Sequence, residues 1–140
     1  MTPVQAVNHV GIAVRSIEAQ RPYYEGALGA VFEGYEDVPS QKVRVGFFRI
    51  GDVRLELLEP SDPSSTVAAF IEKRGEGLHH VALTVERLED RIAELKQAGV
   101  RMIDDAPRPG AHRMRIAFLH LKSTFGVLTE LCEPPAALKE

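Results

Sequence analysis

At 140 residues the chain is long enough for one ordinary domain, or for two small fused modules sharing a core. Hydrophobic residues at 44% and charged residues at 26% fit a globular protein and exclude a disordered or fibrous one. A net charge of -3 gives no support for nucleic acid or an anionic membrane surface as the partner.

The first element in chain order is a strand over residues 7–14. Val10, Ile12 and Val14 fall on an apolar face, and His9, Gly11 and Ala13 on the other. Ser16 is the N-cap of a helix over 17–28, with Tyr23, Tyr24, Ala27 and Leu28 on its buried side and Gly29 as its stop. Pro22 kinks this helix or lies near its start. Strands follow at 30–35, 42–50 and 53–59, with Gly51-Asp52 as a hairpin turn. A polar connector and a short helix at 66–73 lead to a second series. That series is a strand at 80–85, a helix over 87–98 with Gly99 as C-cap, and a strand at 100–103. A Pro/Gly loop at 106–111 and strands at 114–121 and 125–133 complete it.

The order is β-α-β-β-β written twice: module one at about 5–60, a connector at about 61–77, and module two at about 78–135, in one domain spanning 1–140. The repeat reaches individual residues. His9 opens HVGIAV and His80 opens HVALTV; Glu56 lies in VRLELLEP and Glu130 in VLTELCEP. Strand alternation turns Glu56 away from the face of Leu55 and Leu57, and places Glu130 with Leu128 and Cys132. Curled side by side, two such units would line one cleft with His9, Glu56, His80 and Glu130.

Imidazole nitrogens and carboxylate oxygens bind first-row divalent metals, and two carboxylates offset the 2+ charge. Without a cysteine among the donors, the set suits Co, Mn, Ni, Fe or Zn. Singly, each of these residues reads as an ordinary strand residue; the paired recurrence selects metal binding. His79 competes with His80, and strand phase favours His80. Glu59 and Glu133 also recur, but alternation turns them away, as edge or capping charges.

Other candidates keep two readings each. Gln41 is a solvated loop residue or a substrate contact. His112, Arg113, Arg115 and Lys122 form either a solvated basic face near the last hairpin or a cluster that meets a ligand's phosphates or carboxylate. Tyr23 and Tyr24 read as helix core, and Cys132 as a strand residue near the site. A single cysteine rules out an intrachain disulfide and fits a reducing compartment. MTPVQAVNHVGIAV lacks the basic start and apolar run of a signal peptide, and no apolar stretch approaches the ~20 residues of a membrane span. A cytoplasmic protein is expected.

The segments VNHVGIAV, ELLEP, GLHHVAL, PRPGAH, IAFLH and GVLTELCEP, in that order from Val7 to Pro134, resemble the vicinal oxygen chelate superfamily and, within it, the methylmalonyl-CoA epimerases. The resemblance implies an α+β fold of two βαβββ modules forming one curved mixed sheet around a metal cleft. It implies an epimerase acting on methylmalonyl-CoA in propionyl-CoA metabolism, as a homodimer. It also implies a divalent metal, often cobalt, held by His9, Glu56, His80 and Glu130. Some members carry Gln in place of Glu56 and a separate Glu where this chain has Val45. Leu121, Phe125 and Arg113 replace residues common in the family. Since Val45 cannot move a proton, Glu56 and Glu130 are the candidate bases. Gln41, His112, Arg113 and Lys122 are the candidate substrate contacts. The rival readings are a glyoxalase I-like lyase or isomerase, an extradiol dioxygenase, and a non-catalytic small-molecule-binding member.

Overall fold

The computed structural model describes residues 2–136. Its elements are β1 (Ala6–Ala13), α1 (Ile17–Arg21), β2 (Val31–Val38), β3 (Val43–Ile50), β4 (Val53–Pro60), α2 (Thr66–Arg74), β5 (Gly77–Thr84), α3 (Leu88–Gln97), β6 (Arg108–Pro109), β7 (Arg115–Phe118) and β8 (Thr129–Glu133). Two compact units divide the chain: residues 9–79, and residues 2–8 together with 80–136. Among the described residues no helix is long and apolar enough to cross a membrane.

In the first unit the strand order is β2-β3-β4-β1. β1 and β4 run parallel, while β2/β3 and β3/β4 are antiparallel. Gly51, with φ 58°, makes the turn between β3 and β4. Val14, Ile17, Tyr24, Ala30, Phe48 and Leu57 form the core under α1. Ile17 packs so closely that a Cβ on Gly46 would lie 2.8 Å from its Cγ2, so only glycine fits there. His9, Gly11 and Ala13 are buried, while Val10 and Ile12 are half-buried. The histidine face of β1 is therefore the more enclosed one.

The expected 17–28 helix is shorter and changes pitch. Ser16 caps it by accepting from the Ala19 amide at 3.1 Å. The α-helix ends at Arg21, and residues Pro22–Ala27 form a wider π turn closed by Leu28 N–H to Tyr23 O at 3.0 Å. Pro22 lacks the N–H that would continue the α ladder. The wider turn rotates Tyr23, Ala27 and Leu28 outward. Tyr23 is 55% exposed, so of the four residues expected on the buried side only Tyr24 is buried.

In the second unit the order is β5-β8-β7-β6, with β5/β8 parallel and β8/β7 and β7/β6 antiparallel. One face packs Val85, Leu88, Ile92, Ala117, Leu119 and Leu131 around α3. The other buries Ala82, Met114, Ile116, Phe118 and Cys132. The strand expected at 100–103 is reduced to a single bridge, Met102 to Leu119. The expected 106–111 loop contains the two-residue strand β6. The last strand begins at Thr129, not at 125; Phe125 at φ 55° and Gly126 at φ 88° place two successive residues outside the extended region.

Candidate metal and acid–base site

In the first unit, parallel pairing sets His9 opposite Arg54 and Gly11 opposite Glu56. Alternation brings the His9 and Glu56 side chains to one face. His9 Nδ1 lies 3.1 Å from Glu56 Oε2. The second unit repeats the register: Ala82 stands opposite Glu130, and His80 lies two residues before Ala82. His80 Nε2 lies 3.6 Å from Glu130 Oε1. The four residues are buried, with exposures of 4–6%.

Phe47, directly across from Glu56 on β3, is fully buried, as is Val45 on the same face. This apolar surface desolvates the carboxyl. Burial pushes Glu56 up to about 7, against a partial lowering by Arg54, whose Nε is 3.9 Å away, and a further rise from Glu36. A buried carboxylate facing an imidazole nitrogen is a donor pair that a divalent cation would relieve, and each unit contains one. The donor chemistry therefore fits the metal implied by the sequence.

On β8, Cys132 faces the same way as Glu130, its Sγ within 4.8 Å of a Glu130 carboxylate oxygen. The thiol contacts the Leu83 carbonyl at 3.5 Å. The His80 ring meets Phe118 edge-on, with centroids 5.5 Å apart. His79 turns to the other face, where its ring lies 5.0 Å from Phe70, and burial lowers it to about 4.

Glu59 and Glu133 hold the helices. Glu59 Oε1 accepts from the Ile17 amide at 2.8 Å, at the start of α1. Glu133 Oε2 accepts from the Arg87 amide at 2.8 Å, at the start of α3. A carboxylate at a helix N-terminus satisfies an orphan donor and meets the positive end of the dipole. In each unit one strand thus carries two carboxylates three residues apart on opposite faces, one toward the site and one toward the helix.

The candidate substrate contacts lie on turns between strands. Gln41 ends a short 3-10 turn before β3 and is half-buried. His112 and Arg113 sit in a left-handed turn before β7, with φ 56° and 60°. Lys122 lies in the turn after β7, at its opposite end. The basic cluster expected around the last hairpin does not form. Arg115 is committed to Glu133 at 3.1 Å and to Glu89, while His112 and Arg113 are separated from Lys122 by the length of β7. Strand alternation alone puts Arg54 on the face of Glu56 but does not find Phe47, and both set the environment of Glu56. Arg54 was legible as the i−2 neighbour on one strand face; Phe47 needed the β3/β4 register.

The sequence model of the Glyoxalase/Bleomycin resistance protein/Dioxygenase superfamily matches residues 8–118. An ethylmalonyl-CoA/methylmalonyl-CoA epimerase of Cereibacter sphaeroides is 38% identical over 127 residues, covering 89% of this chain and 95% of the relative. The chain belongs to the methylmalonyl-CoA epimerase family of that superfamily. An uncharacterized protein of Bacillus subtilis, 47% identical over 128 residues and matched over 91% of each chain, resembles this family member too. A solved Streptomyces coelicolor methylmalonyl-CoA epimerase variant, in complex with 2-nitronate-propionyl-CoA, has 34% identity and a TM-score of 0.90. The match covers 96% of this chain and 97% of that one. The α+β fold expected from the doubled unit is thus a methylmalonyl-CoA epimerase fold, and the chain is an enzyme of that family.

Proposed function

We propose that the chain interconverts (2R)- and (2S)-methylmalonyl-CoA by removing the α-proton from one face of the carbon and returning one to the other. The observation that carries this reading is the repeated register, Gly11 opposite Glu56 and Ala82 opposite Glu130, each with a buried histidine two residues earlier. Inversion needs a proton-handling group for each face, and the duplication supplies one carboxylate per module.

His9, Glu56, His80 and Glu130 would hold one divalent metal, cobalt in the first instance, with manganese, nickel or zinc as alternatives. Bound there, it would supply Lewis-acid stabilisation of the charge that develops on the thioester oxygen. Glu56 and Glu130 do the proton transfer. Neighbouring Val45 and Phe47 have no proton to give; they exclude water and raise Glu56 toward neutrality, where a base works best at cellular pH. Gln41, His112, Arg113 and Lys122 contribute substrate contacts. The two modules act as one domain, in a homodimer of the cytoplasm, on an acyl-CoA from propionate metabolism.

The test is exchange in heavy water. Metal-loaded protein incubated with (2R)- or (2S)-methylmalonyl-CoA should place deuterium at the α-carbon and bring the two epimers to equal amounts. No exchange with any divalent metal would defeat the reading.

A further inference from the structure

The turn joining β7 to β8 holds an aromatic side chain in water. Phe125 is 96% exposed, the most exposed of the large hydrophobic residues among the described ones, and has φ 55°. A bulky residue in the left-handed region costs conformational energy, and it recovers nothing here by packing. The turn is nevertheless well fixed. The Leu121 carbonyl accepts from the Thr124 and Gly126 amides at 3.2 and 3.1 Å. The Arg101 amide donates to Ser123 Oγ at 2.8 Å, and the Lys122 amide to His120 Nδ1 at 3.1 Å. Leu121 and Val127, near Phe125 in sequence, are also exposed.

Its charge is one-sided. Residues 106–129 contain no Asp or Glu. Arg108 and Arg115 are neutralised by Asp104 and by Glu89 and Glu133. Lys122 on the turn and Arg101 against it form no ion pair among the described residues. The turn also runs directly into β8, whose second residue is Glu130. Five residues span at most ~18 Å, so an extended ligand reaching Glu130 with its thioester can reach Phe125 with its far end.

We propose that this turn is the seat of the nucleotide end of the acyl-CoA: the Phe125 ring stacks on the adenine, and Lys122 and Arg101 meet the phosphates. The inference rests on the acyl-CoA reading above. An aromatic face accepts any base, and two unpaired cations complement phosphate charge without selecting the acyl group. The turn therefore sets affinity for the carrier and leaves acyl choice to the site.

Two measurements decide it, on the full chain with Phe125→Ala, Phe125→Gly and Lys122→Ala. Because Phe125 is exposed, neither substitution there should lower Tm, and Phe125→Gly should raise it by relieving the backbone. Calorimetry with CoA and with adenosine 3′,5′-bisphosphate should show binding about tenfold weaker to Phe125→Ala than to the parent. Lys122→Ala should weaken binding and flatten its salt dependence. In turnover, KM for methylmalonyl-CoA should rise about tenfold more in Phe125→Ala than KM for the pantetheine thioester, which has no nucleotide. Equal CoA affinity in parent and Phe125→Ala, or equal KM changes for the two thioesters, would overturn the proposal. Absence of turnover on every thioester would defeat the epimerase reading alone, and the calorimetric comparison would still support or overturn the stacking site.

Discussion

Glu56→Gln should make the metal-free protein more stable at neutral and alkaline pH, and not in acid. Glu56 ionises at about 7 in the folded chain, against 4.5 as its ordinary value. The folded state therefore penalises its charged form. Below pH 4.5 the carboxyl is neutral in both folded and unfolded chains and costs nothing. The penalty grows as pH rises from 4.5 to 7 and is complete above 7. At ~1.4 kcal/mol per unit the full effect is about 3 kcal/mol. Glutamine keeps the shape and an acceptor for His9, and cannot ionise. The metal-free variant should exceed the parent by up to about 3 kcal/mol at pH 8, a Tm roughly 10 °C higher for a chain of this length. At pH 4.5 the two should melt together. Added divalent metal should reverse the order, since the parent retains the anion that the cation binds. Chemical and thermal unfolding at both pH values, with chelator and with metal, measure all four combinations. Equal stability of the two chelated proteins at pH 8, or the same difference at both pH values, would refute the burial argument.

Glu130→Gln should keep the fold and lower deuterium exchange into the thioester by ~100-fold or more, as expected for loss of a positioned base; near-normal exchange would remove it from the proton path. His80→Gln should abolish tight metal binding by equilibrium dialysis, whereas His79→Gln should retain it. His79→Gln should also flatten the fall in stability between pH 6.5 and 4, because the buried His79 resists charging until about 4 and folded stability is lost as pH drops through that window. Gly46→Ala should cost about 1–3 kcal/mol in chemical denaturation, since its methyl would meet Ile17 Cγ2 at 2.8 Å in a closed core.

Strand periodicity made the site legible and local backbone geometry hid the rest. A period of two separates His80 from His79, and Glu56 and Glu130 from Glu59 and Glu133, without knowledge of any contact. The structure puts His80 beside Glu130 and turns His79 toward Phe70. It uses Glu59 and Glu133 as helix caps, as their phase suggested. Helix pitch was not legible past Pro22: a proline can kink, start or widen a helix, and here a π turn exposes Tyr23 while Tyr24 packs in the core. Phe125 reads as a strand residue by composition, and the positive φ angles of Phe125 and Gly126 keep it out of β8. The basic residues around β7 read as a cluster because sequence proximity ignores the strand between them, and because Arg115 finds Glu89 through the fold.

The two carboxylates on each glutamate strand also bear on misfolding. β1 and β4 are paired across most of a module, a join that folding chains make slowly and can make one residue out of step. A slip of one residue would drive Glu56 into the apolar layer beneath α1. It would also take Glu59 away from the Ile17 amide, leaving the helix start without its acceptor. Such an error would carry a buried charge and an orphaned donor together, so the misaligned chain has little to hold it. The same check operates independently in the second module through Glu130 and Glu133. The carboxylates proposed for the proton transfer would therefore also help the chain to discard wrong alignments before any substrate arrives.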